Sequence, residues 1–278
     1  MKLRWLANYG PALVLAVALL AIWELAVRAD LTLEQFLPAP STVVQALANN
    51  WDVIYDNTIP TLLETVLGLL VATALGLLLA VLLDLSVWTR RAIYPLLIVS
   101  QTIPIVALAP LMLIWFGFTI TPKIIVVLLY CFFPIAVATA DGLGSAEPDL
   151  LKLLRSMGAN RWQILWLVRL PGALPAFFSG LRIAATYSVT GAIAGEFVGA
   201  EKGLGIYMLT STNSHALPVV FATIVITAVL SLSLFALVNV IERLALPWYN
   251  APRGAVLRNR RPGRVIPSPP YKIPSEKL

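Results

Sequence analysis

The sequence predicts an all-α membrane protein with six transmembrane helices and a cytoplasmic helix-turn-helix segment between the fourth and the fifth. Apolar residues fill 59% of the 278 positions and charged residues only 12%, about half the charged share of an average soluble domain. A soluble fold of this composition would expose apolar patches larger than those normally found outside interfaces. Lipid can cover such patches, so the composition indicates a bilayer.

Six segments are long and apolar enough to cross a membrane as helices. A crossing takes about 20 mostly apolar residues, and backbone polar groups in lipid must be satisfied within the segment, which favours helices. The first segment begins like a secretory signal, but its length and its poor cleavage site favour a retained anchor. The six predicted spans are residues 11–28, 59–83, 93–117, 122–140, 174–198 and 217–241.

The distribution of basic residues predicts the orientation. With the N-terminus inside, sixteen of the 20 Lys and Arg residues fall in cytoplasmic segments, while Arg28, Lys123 and Lys202 fall outside and Arg182 lies within a span. Basic residues concentrate on the cytoplasmic side of membrane proteins. Both termini are therefore predicted to be cytoplasmic, and the net charge of +6 does not require a nucleic-acid partner.

The chain divides into one transmembrane domain and a tail. Residues 1–246 contain all six spans, whereas residues 247–278 are basic, rich in proline and poor in apolar residues. This composition predicts a disordered cytoplasmic tail. Between the first two spans, Leu37-Pro38-Ala39-Pro40 predicts an extended entry into a short outer helix capped by Ser41.

The cytoplasmic segment 141–173 predicts two short helices joined by a tight turn. We expect Ser145 to cap the first helix and Gly158 to end it in a left-handed conformation. Asn160 is expected to cap the second helix, and Leu154 and Met157 belong to an apolar face of the first. This pattern is compatible with a helix pair resting on lipid and with a docking surface for a soluble partner.

The residues that catalysis or metal binding would need are scarce. Cys131 and His215 are the single cysteine and histidine of the sequence, so neither a disulfide nor a zinc cluster is expected. There is no H-E-x-x-H pattern for an intramembrane protease and no G-x-x-x-x-G-K-[ST] loop for binding ATP. The sequence thus predicts a non-enzymatic chain with no catalytic residues, no metal site and no cofactor of its own.

Polar residues within the spans are candidates for a solute pathway. Gln101 and Thr102 lie beside prolines that predict a kinked third helix, so Gln101 has the alternative of bonding a carbonyl freed by the kink. Glu196 either lines an outer gate or satisfies a neighbouring loop, since ionisable groups in spans face a cavity or a partner. Ser188 is a further pathway candidate in the fifth span.

Small residues recur in the fifth span at every fourth position. Gly191, Gly195 and Gly199 have the spacing that lets helix backbones approach closely in lipid. Packing within the chain and lining of a pathway both fit this pattern.

One motif of the cytoplasmic segment resembles a known family. Gly158 is followed after nine residues by Val168-Arg169-Leu170-Pro171, which is similar to the cytoplasmic-loop signature of permeases of binding-protein-dependent ABC importers. That family has Glu-Ala-Ala where this chain has Lys152-Leu153-Leu154. The resemblance covers most of the chain. The chain resembles most the branch serving nitrate, sulfonate and taurine. Within that branch, the stretches Gln101 to Pro110 and Gly195 to Gly205 resemble permeases for riboflavin and thiamin pyrimidine precursors.

The resemblance implies a mechanism and a set of partners. Two permease chains, here expected to be a homodimer, form one pathway in the cytoplasmic membrane, a solute-binding protein delivers the solute from outside, and separate cytoplasmic ATPase subunits hydrolyse ATP. A riboflavin-like vitamin or pyrimidine precursor is the expected solute, with a sulfonate, taurine or nitrate as the alternative and an ATP-independent secondary carrier as a more remote one. The implied coupling residues are Leu154, Met157, Gly158, Ala159, Asn160 and Arg161.

Overall fold

A computed structural model describes residues 2–29 and 37–249, with side chains from Gly10 onward. These residues form helices joined by short connections. A π-helical turn, Leu165–Arg169, leads directly into α9. The helices are α1 (Lys2–Arg28), α2 (Pro40–Asn49), α3 (Trp51–Leu85), α4 (Val87–Ser100), α5 (Ile105–Phe116), α6 (Ile120–Gly144), α7 (Pro148–Ser156), α8 (Arg161–Ile164), α9 (Leu170–Glu196), α10 (Leu204–Asn213) and α11 (Leu217–Ala245).

Five of the predicted spans are single helices, but the third is not. The segment predicted at 93–117 consists of α4 and α5, which meet at an angle of 95°. The break lies at Gln101–Pro104, where proline cannot continue the backbone hydrogen-bond ladder of α4. The third span is therefore broken into two helices, in agreement with the kink that its prolines predict.

The direction of the neighbouring helices shows that the α4–α5 pair still crosses the membrane. Lys123 of α6 binds Glu64 of α3, 59 positions apart, and the same offset separates Gly68 from Val127 and Gly76 from Ile135 where these helices touch. A constant offset means that α3 and α6 run parallel. The chain must return to the starting side between them, so the described helices make six crossings.

Helix α6 lies at the centre of the bundle, between α3 and α9. Its contacts with α9 are antiparallel and depend on glycines, because small residues allow backbones to approach in lipid. A Cβ added at Gly180 would lie only 2.5 Å from the Pro134 carbonyl oxygen. The other close pairs along this interface are Gly142 with Ala176, Gly191 with Val127 and Gly195 with Lys123.

The first helix is attached mainly at its C-terminal end. Most of its apolar side chains from Gly10 onward are exposed, as expected for a helix that contacts lipid. Glu24 accepts hydrogen bonds from the Ser41 backbone N–H (3.0 Å) and hydroxyl (2.8 Å). The prediction that Ser41 caps its helix is therefore wrong. Helix α2 begins at Pro40, one residue before Ser41, and the Glu24 carboxylate of α1 binds its first turn.

Candidate functional site

The turn between α7 and α8 has the geometry that its sequence predicts. Gly158 has φ +84°, a left-handed conformation in which glycine carries no steric penalty. Its N–H donates to the Arg155 carbonyl (3.0 Å), and the next N–H, of Ala159, donates to the Leu154 carbonyl (3.0 Å). This pair of bonds is a Schellman motif, which satisfies carbonyls at the end of α7.

The second helix of the pair begins with a reciprocal cap. The Asn160 side chain accepts from the Gln163 N–H (2.8 Å), and the Gln163 side chain accepts from the Asn160 N–H (2.8 Å), as in a capping box. The predicted Ser145 cap is wrong. Ser145 instead ends α6, where its hydroxyl donates to the Gly142 carbonyl (2.7 Å), and Glu147 precedes α7.

The helix pair presents apolar side chains that no described residue covers. No residue of α7 is buried, and Met157 at the tip is 74% exposed. Trp162 of α8 and Trp166 of the following turn are exposed as well. An exposed apolar patch of this kind marks a surface for another protein or for lipid.

The base of the pair is fixed to the bundle. Arg169 donates from one nitrogen to both carboxylate oxygens of Asp84 at 2.6 Å, which joins the start of α9 to the end of α3. Their side chains are only 22% and 12% exposed. Ile164 and Leu165 are buried beside them. An exposed tip on a fixed base can transmit force to the spans.

Glu196 is fully buried at the C-terminal end of α9. One of its oxygens accepts from the Thr61 hydroxyl (2.6 Å), and the other accepts from the Gly205 N–H. Thr61 also accepts from the Leu204 N–H (2.9 Å). The structure thus places Glu196 against a neighbouring loop, where it ties the start of α10 to α3.

Glu64 and Lys123 form a second buried ionic contact that the sequence did not reveal. Their charged atoms are 2.7 Å apart, and the side chains are 3% and 14% exposed. Glu64 lies within the predicted second span, and Lys123 falls in a segment predicted to lie outside. Their pairing depends on the parallel packing of α3 on α6, and no local spacing signals it. Similarly, Arg182 of α9 pairs with Glu242 of α11 at 3.1 Å.

The remaining pathway candidates have different surroundings. Gln101 and Thr102 are exposed at the break between α4 and α5, and the Thr102 hydroxyl donates to the Val99 carbonyl (2.7 Å). Ser188 is buried and donates to the Ala185 carbonyl of its own helix (2.8 Å). The structure therefore brings none of these three side chains into contact with Glu196.

The three glycines of the fifth span lie against other helices of the same chain. Gly191 lies on Tyr130 and Gly195 on Lys123 of α6. Gly199 follows the end of α9, where an added Cβ would lie 2.8 Å from Leu113 of α5. Their close approach is a packing feature of this chain.

A shallow cleft of about 340 Å³ opens between the first turns of α3 and α10. Asp56, Glu201 and Lys202 supply its charged groups, and Tyr207 lines it as well. Partial burial raises the pKa of the Tyr207 hydroxyl, because desolvation disfavours the charged form. This side of the bundle lies opposite the α7–α8 pair.

The six-crossing bundle with an exposed helix pair on one side is the architecture of an integral membrane protein. Residues 72–246 match the family of binding-protein-dependent transport system inner membrane components. The chain belongs to this family and is a permease of an ABC importer. Among the described residues, no group of three or more His, Cys, Asp or Glu side chains is placed to hold a metal ion.

Characterised permeases match nearly the whole transmembrane part. The formylaminopyrimidine transport permease protein ThiX of Halalkalibacterium halodurans is 38% identical over 231 residues, 83% of this chain and 92% of the relative. The riboflavin transport system permease protein RibX of Chloroflexus aurantiacus is 38% identical over 245 residues, 86% of this chain and 91% of the relative. The taurine transport system permease protein TauC of Escherichia coli is 29% identical over 259 residues, 89% of this chain and 94% of the relative.

A solved structure shares the fold. The inward-facing MetNI methionine ABC transporter contains a chain that superimposes with a TM-score of 0.56 at 20% identity, covering 69% of this chain and 94% of that one. The overall fold of this bundle therefore also occurs in a chain of a solved ABC transporter.

Proposed function

We propose that this permease couples to separate cytoplasmic ATPase subunits through α7, the turn at Gly158 and α8. The observation that carries the proposal is the exposed apolar tip at Met157 on a base fixed by Arg169 and Asp84. Burial of apolar surface contributes about 25 cal/mol per Å², so an ATPase cleft that covers Leu154, Met157 and Ala159 gains affinity. The polar neighbours Asn160 and Arg161 then set the orientation of docking.

The spans then perform the transport step. ATP-driven closure of two ATPase subunits pulls on α7 and α8, and the fixed base passes the movement to α3 and α9. ATP is bound and hydrolysed by the ATPase subunits, and this chain needs no cofactor. A second copy of this chain completes the pathway, with both termini in the cytoplasm. A solute-binding protein docks on the outer side, where Glu196 holds α10 in place.

We propose a vitamin or vitamin precursor as the solute. Support comes from the two relatives at 38% identity, whose names give riboflavin and formylaminopyrimidine as their solutes. The taurine permease, at 29% identity, favours a small sulfonate as the second candidate. Uptake of labelled riboflavin, formylaminopyrimidine and taurine, each with the binding protein encoded beside this chain, separates these candidates.

The docking proposal is tested with two matched glycine substitutions. A Cβ atom added at Gly158 or at Gly172 has no neighbouring atom within 4 Å. Of these two glycines, only Gly158 has a positive φ. We expect Gly158→Val to strain the turn and abolish ATP-dependent uptake and co-purification of the ATPase, while insertion into the membrane persists. Gly172→Val should retain both ATP-dependent uptake and co-purification of the ATPase. Normal uptake by Gly158→Val would contradict docking at this turn.

ATP dependence separates a coupled importer from a secondary carrier. The permease is reconstituted with its ATPase subunits and binding protein, and uptake is compared with that of the permease alone. We expect uptake only from the complete complex with ATP. Equal uptake by the permease alone would identify a secondary carrier.

A further inference from the structure

A cleft of about 560 Å³ lies between the junction of α3 with α4 and the α7–α8 pair. Its polar lining comes from two stretches of the chain that are distant in sequence. Asp84 and Ser86 lie on one side, and Arg155, Arg161 and Arg169 lie on the other. We propose that this cleft binds the phosphate of an anionic phospholipid headgroup from the cytoplasmic leaflet.

The charges of the cleft are unbalanced. Three arginines face one carboxylate, and that carboxylate already binds Arg169 at 2.6 Å. Arg155 and Arg161 form no ion pair with any residue in the described ranges. Arginine presents planar N–H donors that match phosphate oxygens. The two free guanidinium groups therefore attract an anion that the described chain does not supply.

The surroundings of the cleft indicate a lipid rather than a soluble anion. Trp88 lines it, is 79% exposed and lies under the Arg91 guanidinium at 5.9 Å from the ring centroid. Tryptophan at the end of a span is typical of the headgroup level of a bilayer. Val87 also lines a second cleft that includes Tyr94 and opens along α4. A headgroup between the arginines can thus place its acyl chains along the apolar surface of α4.

The cleft adjoins the exposed tip proposed to dock the ATPase and shares Arg161 with it, whereas Arg155 lines the cleft and is not one of the proposed coupling residues. The tip is centred on Met157 and Gly158, neither of which lines the cleft. Basic pockets between helices on the cytoplasmic side of membrane proteins bind anionic headgroups. A lipid held here stabilises the base of α7 and α8, the part of the permease that must stay attached to the bundle while the tip moves. This role goes beyond the proposed coupling function.

The test measures lipid binding to the purified full-length permease in detergent. Short-chain phosphatidylglycerol, short-chain phosphatidylcholine and inorganic phosphate are titrated separately, with bound lipid read by native mass spectrometry. We expect saturable binding of phosphatidylglycerol only. Arg155→Gln should weaken this binding about fivefold, the effect of one basic residue near an anionic headgroup. Lys152→Gln is the matched control, because Lys152 lies on the same helix outside the cleft, next to Asp149 at 3.0 Å.

Several results would overturn the proposal. Equal binding of phosphatidylcholine, or equal losses in Arg155→Gln and Lys152→Gln, would mean that the cleft does not recognise the anionic headgroup. Saturable binding of inorganic phosphate that competes with the lipid would identify a soluble-anion site. Displacement of the lipid by added ATPase subunits, with weaker ATPase binding in Arg155→Gln, would assign the cleft to ATPase docking. The lipid titrations need neither transport nor an ATPase subunit, so their failure can be told apart from failure of the coupling proposal.

Discussion

Removing the carboxylate of Asp84 should loosen the base of the helix pair. In Asp84→Asn, Arg169 loses the partner that both carboxylate oxygens now provide at 2.6 Å. The pair is mostly buried, with 22% and 12% exposed side chains. A hydrogen bond to a charged group contributes about 1.5–3 kcal/mol. We therefore expect the free energy of local opening to fall by about 2 kcal/mol.

Amide hydrogen exchange measures this opening directly. A fall of about 2 kcal/mol in the free energy of local opening corresponds to about thirtyfold faster exchange. This applies to the backbone N–H groups of residues 164–170 if they exchange through local opening. ATP-dependent uptake should fall in the same variant, because the tip is then attached to a loose base. The assay compares deuterium uptake of wild-type and variant permease in the same detergent or nanodisc.

A second ion pair of the chain provides the control. Arg90 and Asp141 lie 3.1 Å apart, but their side chains are 46% and 56% exposed. Exposed pairs contribute only about 0–1 kcal/mol, so Asp141→Asn should change exchange and uptake little. Unchanged exchange at 164–170 in Asp84→Asn, or equal effects of the two variants, would refute the argument that Asp84 fixes the base.

Three further predictions follow from the packing of the spans. Gly180→Val places a methyl-bearing Cβ against the Pro134 carbonyl oxygen, which lies 2.5 Å from the ideal Cβ position. We expect size-exclusion chromatography of membrane extracts to show little folded permease. A normal yield would contradict the α6–α9 packing. Lys123→Met leaves the buried Glu64 carboxylate unpaired, so thermal stability should fall and Glu64→Gln in the same chain should restore most of it; a double variant no more stable than Lys123→Met would refute the pairing. Cys131 is fully buried and should react with maleimide only after denaturation, whereas rapid labelling of the native permease would contradict the central position of α6.

Local patterns predicted the elements that depend on local physics. Gly158 and Asn160 mark the ends of two short helices because a left-handed conformation and an N-cap each favour particular residues. Spans were predictable because a bilayer requires a minimum apolar length. Ser41 and Ser145 show the limit of this reasoning, since both have capping chemistry and both bind a different group in the structure.

Contacts between distant parts of the chain were not predictable from spacing. Glu64 and Lys123 pair only because α3 and α6 run parallel, an arrangement set by the bent α4–α5 crossing. The contact of Glu196 with Gly205 depends likewise on how α10 returns to α3. The sequence indicated that a buried carboxylate needs a partner and left its identity open.

Site-specific cross-linking tests the coupling proposal most directly. A photoreactive side chain at position 157, the exposed tip of α7, is introduced into the complete transporter in membranes. We predict a cross-link to the ATPase subunit, lost when Gly158→Val is added. A cross-link to the outer solute-binding protein instead would place α7 and α8 on the wrong side of the membrane and contradict the mechanism.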